Sequence, residues 1–173
     1  MTKYEMYLKD QYELKEPGFS TVSYKKLIRN WHERAIEEDY FSKFVFEYLA
    51  FAAILRKYFN VSSKSDRDAI EGLKKNKEAR IEYLGSIGKQ LDLAKLKDYL
   101  EREPVENNGK KVRIKSDEDW SNMVEFVYSV RNNLFHGSKD PEDARDKLLV
   151  EYAYKLLRPL VEILLNKIGM GEK

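Results

Sequence analysis

The segment Arg131-Asn132-Asn133-Leu134-Phe135-His136-Gly137 gathers the residue types that do chemistry on a phosphate. His136 is the second of only two histidines in the chain. Histidine can give or take a proton near neutral pH. Arginine presents a planar fork of N–H donors that matches a phosphate group. RNA cleavage without a metal needs a base for the 2′-hydroxyl, an acid for the leaving oxygen, and positive charge on the phosphate. In that chemistry His136 would transfer protons. Arg131 would bind the phosphate and stabilise developing charge. Asn132 would orient His136 or donate to a phosphate oxygen.

These residues need a frame that aims them. On a helical wheel, Trp120, Met123, Val127, Val130 and Leu134 form one stripe, which predicts an inward face. Glu125, Ser129, Asn132 and His136 form a second stripe on the opposite side, with Arg131 at the border. Asn132 and His136 are four apart and can touch. Arg131 and His136 diverge by roughly 140° on a regular helix, so they cannot converge there on one small group. Either the helix ends before His136, or a second copy of the chain completes the site. Gly137 favours the first option, because glycine is preferred just past a helix end. The two options are compatible, and a symmetric dimer with two Arg131/His136 pairs would supply the second proton-transfer group. The helix dipole favours a charged imidazole at a C-terminus, and the neighbouring arginine opposes it. The spacing alone is weak: a helix that ends His-Gly, with an arginine in a surface ion pair, is the plain structural alternative.

The surrounding elements read as helices. Residues 1–23 form a polar N-terminal arm with a turn at Glu16-Pro17-Gly18. Residues 24–173 form the domain. Leu27, Ile28, Trp31 and Ala35 predict a helix over 24–38. Asp39 caps a second, over 40–60, whose Phe41, Phe44, Val45, Tyr48, Leu49, Ala52 and Leu55 suit a central helix. A loop is expected over 62–65. One exposed helix is expected over 66–84, broken by Gly85 and Gly88, and a short one over 89–100. Val105 and Val112–Ile114 are expected to pair as a small β-hairpin, near 105–114, across Asn108-Gly109. Ser116 and Asp119 resemble a capping box opening a helix over 120–135. Asp140-Pro141 is expected to open the last helix, which runs to about residue 168 and stops at Gly169. The expected architecture is an all-α bundle of five or six helices.

Composition bounds the rest. Eight glycines and four prolines are few for a turn-rich β protein, which favours helices. The net charge of +2 carries no polybasic tail and no general case for nucleic acid. With no cysteine, disulfides, thiolate nucleophiles and cysteine metal sites are excluded. The most apolar run, 44–55, contains Glu47 and is too short to span a bilayer. A cytoplasmic protein with no membrane partner is expected. No metal or cofactor is expected either, since the two histidines lie far apart and no glycine-rich phosphate loop or nucleophile elbow occurs. A carboxylate-only Mg²⁺ site stays open as an alternative.

The densest basic run is Lys110-Lys111-Val112-Arg113-Ile114-Lys115. Beside a cleft it would guide a phosphate backbone; a solvated loop is the plainer alternative. Lys111 and Arg113 join Ser129, Asn133 and Lys139 as candidate RNA contacts. His32 follows the core-facing Trp31, so it is expected near the surface as an ordinary helix residue.

The segment Arg131-Asn132-x-x-x-His136 resembles the R-x(4–6)-H motif of HEPN domains, in which a polar residue often follows the arginine. The aromatic run Phe-Ser-Lys-Phe-Val-Phe-Glu-Tyr-Leu-Ala-Phe over 41–51 resembles the first core helix of several HEPN groups. The likeness spans about residues 24–168, with only 131–137 specific. It implies an all-α homodimer whose composite cleft cuts RNA without a metal, with Arg131, His136 and Asn132 in the family's site. It also implies a role as a toxin or phage-defence effector, with a possible antitoxin protein as partner. Ser138 stands where toxins paired with a nucleotidyltransferase antitoxin carry tyrosine, so modification of a tyrosine there is not expected. The alternative is a non-catalytic HEPN-like module that binds a nucleotide or a protein.

Overall fold

Apolar residues at three- and four-residue steps build helices through most of the computed structural model, which describes residues 21–36, 39–59, 65–87 and 91–170. The helices are α1 (Thr21–Arg34), α2 (Tyr40–Ile54), α3 (Asp66–Lys74), α4 (Lys77–Ile87), α5 (Ala94–Arg102), α6 (Trp120–Phe135) and α7 (Ala144–Lys167). A wide π turn, Leu55–Phe59, continues α2. Between α5 and α6 lies an antiparallel hairpin, β1 (Val105–Asn107) with β2 (Lys110–Val112). The protein is therefore a helical bundle with one small hairpin. Most of the expected N-terminal arm, 1–20, lies outside the described residues, as do most of the expected 62–65 loop and Gly88. Residues 21–23, expected in the arm, belong to α1.

The core forms where α2, α6 and α7 meet. α2 buries Phe44, Phe51 and Ile54; α6 buries Met123, Phe126 and Val130; α7 buries Leu149, Leu157, Leu160 and Leu164. Each such side chain contributes about 1.5–3 kcal/mol by leaving water. α1 lies against α2, α4 against α7, and α3 against α6. Two buried ring groups find partners across the core: the Tyr83 hydroxyl donates to the Leu156 carbonyl at 2.7 Å, and the Trp120 indole N–H donates to the Lys74 carbonyl at 3.0 Å. No helix among the described residues is long and apolar enough to cross a membrane.

The hairpin has the predicted turn. Asn108 and Gly109 both have positive φ, 50° and 76°. That matches the type I′ geometry that right-twisted strands require. The register pairs Val105 with Val112, both buried, which anchors the hairpin's base.

Several boundaries depart from the expected pattern, and the short helix expected over 89–100 begins only at Ala94. The single helix expected over 66–84 is two, because Asn76 interrupts it and caps the second: its side-chain oxygen accepts the Ala79 N–H at 3.0 Å. Gly85 does not break α4, which continues to Ile87. The cap of α7 is Asp143, not Asp140. The Asp143 carboxylate accepts the Asp146 N–H at 3.0 Å, while Asp146 accepts the Asp140 N–H at 2.8 Å. These bonds fold the segment around Pro141 back as a turn before the helix begins.

Candidate functional site

α6 places the chemistry-bearing segment, and its end decides how. Asp119 is the N-cap, and its carboxylate accepts the Lys115 N–H at 2.8 Å. Sixteen residues later the helix stops at Phe135, with His136 as C-cap. Gly137 turns to φ 71°; its N–H donates to the Leu134 carbonyl at 3.1 Å, and the Ser138 N–H donates to the Asn133 carbonyl at 3.0 Å. This is the Schellman arrangement, which needs a left-handed residue and therefore favours glycine. The helix thus ends before His136, and the imidazole is exposed beyond the last turn.

Arg131 lies one turn back, at the border of the core. Its Nη1 donates to Asn132 Oδ1 at 2.8 Å and its Nη2 to Asp66 Oδ2 at 3.2 Å. The guanidinium lies 5.4 Å from the Tyr48 ring centroid and 5.0 Å from that of Phe135. Such cation–π contacts hold a cation in place by about 0.5–2 kcal/mol each. The other oxygen of Asp66 accepts from Arg56, on the π turn. The Arg131 Nε is buried with no hydrogen-bond partner among the described residues. Tyr48 is buried, and burial pushes its phenol pKa up, so it presents a neutral ring to the arginine.

The second stripe of α6 is not a solvent face, which corrects the two-sided wheel. Glu125, Ser129 and Asn132 are all buried, because α3 and the hairpin cover them. Both terminal nitrogens of Arg67 donate to Glu125 at 2.8 Å, Lys74 donates to the same carboxylate, and Lys110 stands 3.9 Å away. Burial alone would raise the Glu125 pKa. The hydrogen bonds and charges of Arg67 and Lys74 outweigh it and push it down to about 2.

The remaining predicted residues are scattered around this frame. The Ser129 hydroxyl is fully buried without a partner among the described residues, out of reach of an RNA strand in this arrangement. Asn132 Nδ2 reaches Asn107 Oδ1 at 3.5 Å, and Asn133 Nδ2 donates to the Glu106 carbonyl at 2.9 Å. These two contacts fasten the hairpin beside the end of α6. Lys111, on β2, is exposed and 3.9 Å from Glu106, whereas Arg113, just past β2, is half-buried and 4.0 Å from Glu101. The Lys139 side chain is only 5% exposed, and its amine is paired with Asp146 at 2.8 Å.

His32 does not lie free on the surface of α1. It is not an ordinary surface residue: its Nδ1 lies 2.6 Å from Glu47 Oε1, inside a contact between α1, α2 and α7. Arg158 donates to Glu47 Oε2 at 3.1 Å and to the His32 carbonyl at 3.2 Å. Arg158 Nη2 is 3.4 Å from His32 Nε2. Arginine only donates, so neutral His32 carries its proton on Nδ1.

Spacing could not reveal Asp66, Arg56, Tyr48 or Asn107 as neighbours of Arg131 and Asn132. Asp66 lies 65 residues away in sequence. Among the described residues, no three His, Asp or Glu side chains group as metal ligands. Comparison of the chain with protein-family models, with curated proteins and with solved structures found no match.

Proposed function

We propose that the protein is a metal-independent endoribonuclease of the HEPN type that works as a homodimer. One observation carries this reading: α6 ends one residue before His136, leaving its imidazole exposed just past the turn that holds Arg131. His136 accepts the 2′-hydroxyl proton, and the 2′-oxygen attacks phosphorus. The 5′-oxygen leaves and takes a proton from the histidine of a second copy. The products are a 2′,3′-cyclic phosphate and a 5′-hydroxyl. Arg131 neutralises charge on the phosphate. Asn132 acts as a positioning residue, since its side-chain oxygen already accepts from Arg131. Lys111 and Arg113 supply positive charge on the hairpin that stands next to α6. A toxin or defence role and an antitoxin partner belong to the same proposal.

The test compares wild type with His136→Ala and Arg131→Ala on single-stranded RNA in EDTA. Cleavage by wild type alone, yielding cyclic phosphate ends, is expected. Equal cutting by all three, or loss of wild-type cutting on adding EDTA, rejects the mechanism.

A second reading, a non-catalytic module that binds a nucleotide or other partner, draws on a specific observation. Both terminal nitrogens of Arg131 are engaged, by Asn132 and Asp66. This reading expects RNA to stay intact at any dose and a nucleotide to raise the melting temperature.

A further inference from the structure

We propose that Arg56 and Arg131 form a two-arginine clamp for a backbone phosphate, and that Asp66 fills this clamp in the unliganded protein. The inference deepens the ribonuclease reading and rests on it only for the identity of the ligand.

The geometry is that of a carboxylate held between two guanidinium groups. Asp66 Oδ1 accepts from Arg56 and Asp66 Oδ2 accepts from Arg131 at 3.2 Å. Arginine forks receive carboxylates and phosphates in the same way, so a carboxylate in this position can stand in for a phosphate. A phosphodiester that displaced Asp66 would bring an equal charge together with further contacts along its strand. The three side chains are reachable from solvent: Arg56 is 25%, Asp66 28% and Arg131 27% exposed.

The clamp is braced so that its occupant can change. The Tyr48 ring supports Arg131, and Asn132 Oδ1 holds its Nη1. Arg56 comes from the π turn that ends α2. π turns redirect side chains and concentrate at functional sites. If Asp66 swings away, α3 stays attached, because Arg67 still grips the buried Glu125 with two bonds at 2.8 Å. An Asp66 that served only as a brace for α3 would duplicate that attachment.

The experiment measures fluorescence anisotropy with a short labelled single-stranded RNA carrying 2′-O-methyl riboses throughout. It lacks the attacking hydroxyl, so binding is read apart from cleavage. Asp66→Asn is expected to bind about tenfold more tightly than wild type, because a competing charge within contact distance is gone. Arg56→Gln is expected to bind about tenfold more weakly, and in the Asp66→Asn background it should cancel the gain. Inorganic phosphate should raise the melting temperature of Asp66→Asn more than that of wild type, and leave Arg56→Gln unmoved. Asp66→Asn binding no better than wild type, or Arg56→Gln binding as well as wild type, overturns the clamp. If Asp66→Asn does not fold by circular dichroism, wild type against Arg56→Gln decides in both assays. Wild type that never cuts RNA but shows this binding pattern loses the ribonuclease reading and keeps the clamp. Wild type that cuts RNA while these substitutions leave binding unchanged does the reverse.

Discussion

Replacing Glu125 by glutamine should cost the fold about 3 kcal/mol near neutral pH. The side chain is 1% exposed and accepts from Arg67 and Lys74, so the ionised carboxylate is what those two cations reach in to meet. Its pKa falls from 4.5 to about 2 on folding. At about 1.4 kcal/mol for each pH unit, the ionised form is worth about 3 kcal/mol. Glutamine keeps the shape and mimics the protonated acid. Glu71, which also pairs with both cations at 3.2 and 2.9 Å, remains to soften the loss. The sign follows from a lowered carboxylate pKa. The stability is fully present above 4.5, the unfolded value, and is lost as pH falls through about 2. Urea unfolding of wild type and Glu125→Gln, followed by circular dichroism over a pH series, reads this directly. The difference between the two proteins should be about 3 kcal/mol near neutral pH and shrink towards zero at about pH 2. A difference below about 1 kcal/mol, the worth of an exposed pair, would refute the reasoning. So would a large difference that does not change with pH.

Glu47 should behave in the opposite way despite its similar appearance. Burial raises its pKa against the hydrogen bond of His32 and the charges of His32 and Arg158. Its contribution is therefore greatest below the usual carboxylate range and declines as pH rises through it. Glu47→Gln near neutral pH should cost less than Glu125→Gln in urea unfolding, and a loss as large as that of Glu125→Gln would contradict this. Two glycines should respond with opposite signs to alanine in thermal melts. A Cβ at Gly85, inside α4, meets nothing within 4 Å, so alanine should stabilise by about 0.5–1 kcal/mol. Gly137 is equally open but has φ 71°, so alanine there should cost about 1–2 kcal/mol. Equal effects at both sites would show that backbone conformation at the end of α6 does not matter.

Much of the scaffold was legible because it is local. The span of α6, the Asn108-Gly109 hairpin and the Gly137 stop are each specified within a few residues by periodicity or by a residue that tolerates positive φ. Two of the misplaced boundaries are local contests settled by side-chain caps. Asn76 splits the 66–84 pattern, and Asp143 prevails over Asp140 once Asp146 turns back on the preceding backbone. A wheel cannot weigh one capping oxygen against another.

Within the site, local sequence placed Arg131, Asn132 and His136 near the end of α6 and favoured a stop at Gly137. Tertiary structure alone decided what each group faces. Arg131 meets Asp66 and Tyr48, and Glu125 and Asn132 lie buried beneath α3 and the hairpin. His32 turns to Glu47 and Arg158. The physical reason is range. Helix formation and capping act over three or four residues, whereas a buried charge is settled by whichever opposite charge the packed helices bring to it, however distant in the chain.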